Sequence, residues 1–351
     1  MLSELSEPQI VAAFGLFGGI FLGLAARFGR FCTLGAIEDF LYGSSDTRLR
    51  MWVLAIGVAI VGSFALSGAG LLDMGQSVYH SQPWSPAASV LGGLMFGYGM
   101  AMAGNCGFGA LARLGGGDLR SFVIVLVMGL AAYVTLSGPL AVARIWFLDA
   151  TAAYSGPTLG YAGLLADISG LPLVIPGLLI GLIVIAAALS SSKFIAERSS
   201  VIWAVIVGLA IVSGWAGTAY VSVNGFAGTP VVSHTFSAPI GESLLFLMTS
   251  SGGGLSFGVG SVAGVLIGAF IGSLIKGHFR WEACEDPREL RRQIIGAAIM
   301  GVGAVLALGC TIGQGISAFS LLAFSAPVTF VSIFLGATFG LRQLISGFGT
   351  V

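Results

Sequence analysis

The chain has 351 residues, 56% hydrophobic and 9% charged, with zero formal net charge and a mean hydropathy of +0.99. Soluble domains carry about 25% charged residues, so an ordinary water-facing surface is excluded, and the charge balance offers nothing to a nucleic acid. The class expected is an all-α polytopic membrane protein in a lipid bilayer, whose 55 glycines let helices approach closely.

The N-terminal run MLSELSEPQIVAAF holds Glu4 and Glu7 and no basic residue, unlike a cleaved signal peptide, so the first span is expected to stay. Apolar runs of about 20 residues fall at 8–28, 50–72, 87–105, 119–140, 172–192, 200–221, 255–276, 292–309 and 326–348, which predicts about nine transmembrane helices. Thr33–Tyr42, Gly107–Leu114, Ile240–Ser250 and Ile312–Phe324 are apolar but too short to span. They read as re-entrant half-helices.

With 27–50, 111–120, 193–199, 276–292 and the end after 341 on the cytoplasmic side, 14 of the 15 Lys and Arg are cytoplasmic, Arg144 being the exception. The positive-inside rule then places the N-terminus outside and the C-terminus in the cytoplasm. Four spans on each side of a single connecting span imply two inverted pseudo-repeats: 1–148 with breaks at Cys32 and Cys106, a connector over 149–199, and 200–351 with breaks at Ser251 (SGGG) and Cys310. Inverted repeats with interrupted helices are a transporter architecture.

Three of the four cysteines share the pattern Cys-x-x-Gly, in FCTLG, NCGFG and GCTIG, each closing an apolar run. A helix starting at such a break points its free amides and a partial positive charge at it, which favours an anion. Gly107, Gly109 and Gly313 let the backbone turn and a solute come near. A thiol adds a soft, polarizable contact suited to a sulfur-bearing solute. Cys32, Cys106 and Cys310 are therefore the candidate binding residues, with Arg30, Asn105 and Gln314 as polar neighbours. Cys284 lies in a charged loop and reads as a bystander, and His80 and His234 read as solvated residues of external loops. Glu242 reads as a cap or a gate. Without Glu-x-x-His or His-x-x-x-His spacing a metal site has no support, and no nucleotide-binding signature or cofactor motif is present. A membrane sulfurtransferase working through a persulfide is the competing class, weakened because no His accompanies the cysteines.

RFGRFCTLGAIEDF, AMAGNCGFGALARLGGG and GVGAVLALGCTIGQG, in that order, resemble the YeeE/YedE family of bacterial sulfur-transport membrane proteins. The resemblance implies an hourglass-like bundle of inverted halves, uptake of thiosulfate across the inner membrane rather than enzymatic turnover, and one pathway cysteine per motif: Cys32, Cys106 and Cys310. It also implies a role for Arg30 and a cytoplasmic TusA-like sulfurtransferase as partner. Asn105, and Leu308-Gly309 where the family commonly has Gly-Gly, depart from the pattern, and a selenium or other sulfur compound is the alternative substrate.

Overall fold

Ser6 starts α1 (Glu7–Phe28) through a reciprocal capping box with Gln9, with Pro8 in the first turn, so two otherwise free donors are satisfied. The protein, described by a computed structural model over residues 6–153, 158–251, 254–283 and 286–347, continues with α2 (Thr33–Leu41), α3 (Thr47–Gly68), the short α4 (Val78–Ser81), α5 (Pro86–Ala103), α6 (Gly107–Leu114) and α7 (Leu119–Leu136). Then come α8 (Ala141–Thr151), α9 (Gly160–Ser169), α10 (Val174–Ala188) and α11 (Ser192–Ala196). The last part comprises α12 (Arg198–Asn224), α13 (Ala238–Thr249), α14 (Phe257–Ile275), α15 (Pro287–Leu306), a half-helix over 311–320 that is π-helical at Gly313–Ala318, and α16 (Ser325–Gly347). Among the described residues there is no strand, only two isolated bridges, Ser77 to Val231 and Asp118 to Glu282.

Among the described residues seven spans are long and apolar enough to cross a membrane, or eight counting α9 and α10, which meet at 120°, as one. The other runs behind the predicted nine differ for physical reasons. Arg288, Glu289, Arg291 and Arg292 occupy the first two turns of the 20-residue α15, and α10 has only 15 residues. α1 with α2, and α5 with α6, each form one interrupted span, Glu7–Leu41 and Pro86–Leu114.

Glycines set the packing. Gly15, Gly19 and Gly23 of α1 lie against Gly260, Gly264 and Gly268 of α14, where a Cβ on Gly19 would stand 3.1 Å from the Gly264 Cα. Gly92 and Gly99 seat α5 on α15 in the same way, and Gly93 and Gly97 seat it on α16. Where lipid supplies no hydrophobic drive, this backbone proximity supplies the van der Waals contact. The pairs have an internal exchange symmetry. Swapping α1, α2, α3, α5, α6 and α7 for α12, α13, α14, α15, the 311–320 half-helix and α16 converts α1–α14 into α12–α3, α5–α16 into α15–α7, and α13–α7 into α2–α16. All of these contacts are present.

Candidate functional site

The three cysteine breaks are built alike. The residue two positions before each cysteine has a left-handed backbone: Arg30 at φ 53°, Gly104 at 75° and Leu308 at 56°. For Arg30 and Leu308 that conformation costs about 1–2 kcal/mol each, strain that the surrounding helices hold in place. The cysteine then caps the following helix. Cys32 and Cys106 are extended N-cap residues of α2 and α6, and the Cys310 carbonyl accepts from the Gln314 amide at 2.8 Å. An N-cap is usually Ser, Thr, Asp or Asn. At two of the breaks sulfur takes that role, with Gly109 N–H donating to Cys106 Sγ at 3.4 Å and Gly313 N–H to Cys310 Sγ at 3.5 Å, whereas the Cys32 side chain makes no cap bond.

A fourth approach comes from residues 233–237, ahead of α13. The Phe236 amide donates to Cys310 Sγ at 3.3 Å, and Thr235 Oγ1 lies 3.6 Å from the same sulfur. A Cβ on Gly107 would come within 3.2 Å of the Phe236 carbonyl oxygen and 2.7 Å of Met128 Sδ, so Phe236 lies between the Cys310 and Cys106 caps. This segment is held from both sides: Ser317 Oγ donates to the His234 carbonyl at 2.7 Å, and His234 Nδ1 meets Ser261 Oγ at 2.6 Å. His234, expected to be solvated, is fully buried, because its loop folds inward rather than out to water. His80 is half-buried, with Nε2 3.3 Å from the Leu321 carbonyl.

Cys106 and Cys310 are fully buried and Cys32 partly so. The Cys106 thiol lies near both other thiols, and the Thr311 hydroxyl stands beside it. The thiols divide two cavities. One, about 530 Å³, reaches from Pro8, Arg144 and residues 227–230 to Tyr79, Thr235, Leu308 and Gly309, next to Cys310. Its lining is mainly apolar, with Arg144 the one basic and Glu242 the one acidic residue among the described residues. The other, about 390 Å³, ends at Cys32, Asn105 and Gly109, and its wall carries Arg27, Arg30, Arg48, Arg113 and Lys276 against Glu38. Burial, followed by the charges of Arg30 and Arg27, holds the Lys276 ammonium below the usual lysine range, as expected of crowded cations. Arg48 is bound to Asp39 at 3.1 Å.

The sequence profile of the sulphur transport family matches residues 28–339, a stretch that includes all three cysteine breaks. The chain belongs to the sulphur transport family. It is 27% identical over 338 residues to the thiosulfate transporter TsuA of Spirochaeta thermophila, covering 92% of this chain and 96% of that protein. It is also 27% identical over 339 residues to the thiosulfate transporter TsuA of Escherichia coli K12, covering 92% of this chain and 91% of that one.

Within the family frame the residues singled out in the sequence separate into groups. Cys32, Cys106 and Cys310 come together, with Gly107 packed against Met128 and the Phe236 carbonyl, and Gly313 against the Thr235 side chain. A Cβ on Gly313 would stand 2.5 Å from Thr235 Oγ1. Gly109 and the buried Asn105 face the cationic cavity, as does Arg30. Gln314 is fully buried and committed elsewhere: its amide donates to the Ala307 and Leu308 carbonyls at 2.8 and 3.3 Å, and its oxygen accepts from Ser325 Oγ. It thereby fastens the frayed end of α15. Glu242 accepts from Ser256 Oγ, which in turn caps the Val259 amide, so it supports the start of α14. The half-helix of this repeat begins at Ala238, upstream of Ser251. Gly252 and Gly253 of SGGG, and Cys284, lie outside the described residues. Thr235, Phe236 and Thr311 are site residues that sequence reasoning missed. The Ser-Ala-Pro at 237–239, a helix-start signal, marks the position of the first two. Among the described residues no group of three His, Cys, Asp or Glu is placed to hold a metal.

Proposed function

We propose that this protein takes up thiosulfate, or a closely related small sulfur anion, across the bacterial inner membrane, handing it between thiols at the helix breaks. The observation that carries this reading is the row of three cysteine-capped breaks between two cavities. The names of the relatives support the choice of anion.

The physical chemistry is suited to a dianion. Four half-helices present N-termini to the thiols, each equivalent to about +0.5 charge, so together they supply about two positive charges without a buried Lys or Arg. A fixed cation at the thiols would hold the anion too tightly for passage, whereas amides and thiols hold it weakly at successive points. The outer sulfur of thiosulfate is soft and accepts a weak S–H hydrogen bond. Sulfate lacks that atom and can take only weak S–H···O contacts from the thiols, without the soft sulfur match.

Direction follows from the basic residues. With the N-terminus outside and the C-terminus inside, the apolar cavity opens outward and the cationic cavity faces the cytoplasm. Residues 1–148 and 200–351 are then the two inverted halves, joined by 149–199, which agrees with the exchange symmetry of the helix pairs. The anion enters past Arg144, passes Cys310, Cys106 and Cys32, and is received among Arg27, Arg30 and Arg113. The basic cytoplasmic face is where an acidic surface of a TusA-like sulfurtransferase would dock.

The test is uptake of radiolabelled thiosulfate into vesicles containing the purified chain, with sulfate, selenite and selenate as competitors. Saturable uptake that sulfate fails to inhibit supports the proposal. Equal inhibition by sulfate, or no uptake, contradicts it.

A further inference from the structure

Thiosulfate has two chemically different ends, and the thiols address only one of them. Two of the three cysteines at the breaks are followed directly by threonine, Cys32-Thr33 and Cys310-Thr311, while Cys106 is followed by Gly107. Both threonines are buried, at 3% and 0% exposure, and neither hydroxyl has a hydrogen-bond partner. Thr311 Oγ1 stands beside the Cys106 thiol without reaching hydrogen-bond geometry to it.

A helical threonine normally settles its hydroxyl on the carbonyl four residues back. Thr135, Thr151, Thr218, Thr249 and Thr338 all do so here, at 2.6–2.9 Å. Thr33 and Thr311 are deprived of that partner because they are the first residues of their helices and the break lies immediately behind them. Ser63 and Thr329 also have unpartnered hydroxyls, but these lie within the spans α3 and α16, whereas Thr33 and Thr311 directly follow a cysteine at a helix break. Leaving a hydroxyl buried and unpaired is unfavourable, and valine would fill the same space without that cost.

We propose that Thr33 and Thr311 donate hydrogen bonds to the oxygen atoms of the passing anion, while the adjacent cysteine contacts its terminal sulfur. Each Cys-Thr pair is then a two-pronged site, soft at one prong and hard at the other, and Thr311 serves Cys106 as well as Cys310. This rests on the proposed function and adds a discrimination that thiols alone do not provide, against sulfur anions that lack oxygens.

The test compares Thr311→Val, Thr33→Val and Thr311→Ser with the wild type, by thiosulfate uptake and by thermal melting of the purified protein. Thr311→Val is expected to lower uptake about tenfold or more, the worth of a buried hydrogen bond to a charged group, with a Tm equal to or above that of wild type. Thr33→Val should have a smaller effect in the same direction, and Thr311→Ser should keep most of the uptake. Uptake by both valine variants within about twofold of wild type would overturn the inference. So would a fall in Tm for Thr311→Val that serine restores, because the hydroxyl would then be structural. Failure of the wild type itself to move thiosulfate would instead strike the proposed function.

Discussion

The two cavities that end at the thiols differ more in charge than in size. The apolar one, about 530 Å³, carries one arginine opposite one glutamate, and that glutamate is bound to Ser256. The cationic one, about 390 Å³, gathers five Lys and Arg around Glu38. On the proposed pathway an anion would move from a place where one cation can hold it to a place where the field is spread over several. Spreading the charge matters: a dianion at one tight arginine pair leaves slowly, while one in a solvated cluster is held loosely and screened by salt. The contrast gives the pathway a direction that the near-symmetric helix arrangement does not.

The comparison breaks most severely where the apolar cavity meets Cys310. Gly313→Ala puts a Cβ 2.5 Å from Thr235 Oγ1 and 3.4 Å from the Tyr79 hydroxyl, and Tyr79 already donates to the Gly313 carbonyl at 3.0 Å. Overpacking of this kind costs about 1–3 kcal/mol. Uptake should fall at least about tenfold, together with a lower Tm, as measured by transport and melting on the same preparation.

A smaller effect is expected at the mouth of that cavity. Arg144 Nη2 donates to the Leu136 carbonyl at 3.4 Å, its Nε is buried without a partner, and no ion pair involves it among the described residues. Arg144→Gln should raise the KM for uptake about tenfold with little change in maximal rate, and Arg144→Lys should recover much of the loss. Raising ionic strength should weaken uptake in the wild type and less so in Arg144→Gln.

On the cationic side single changes should matter least. Arg30→Gly removes one of five basic groups and relieves a left-handed arginine. It should alter uptake by only about twofold while raising stability by about 1 kcal/mol. Gly109→Ala is the mildest: its Cβ would meet Asn105 Oδ1 at 3.4 Å and Cys106 Sγ at 3.7 Å, ordinary contacts. Uptake within about twofold of wild type is expected, with a gain of up to about 1 kcal/mol from helix propensity. Equal sensitivity at Arg30 and Arg144 would remove the contrast between the cavities.

Much of this was readable from local signals. The Cys-x-x-Gly runs mark three of the breaks, and α6 begins and ends where the apolar segment does, at Gly107 and Leu114. The parts that escaped depend on distant partners. Residues 233–237 (SHTFS) look like a polar external loop, and only the Phe236 amide on Cys310 and the His234 ring on Ser261 make them part of the interior. Gln314 has the composition of a binding residue, yet its fate is set by carbonyls at the end of α15. α15 itself mixes an arginine-rich start with an apolar end, which defeats any test of uniform hydropathy. The missing partners of Thr33 and Thr311 can be seen only once every nearby acceptor has been located.

The central claim is that the anion passes along the thiols, and Cys106 decides it, being buried between the other two and bordering neither cavity. Thiosulfate uptake by Cys106→Ala, a truncation by one atom, should drop at least about tenfold while the Tm stays within a few degrees of wild type. Uptake by that variant equal to wild type would contradict the account.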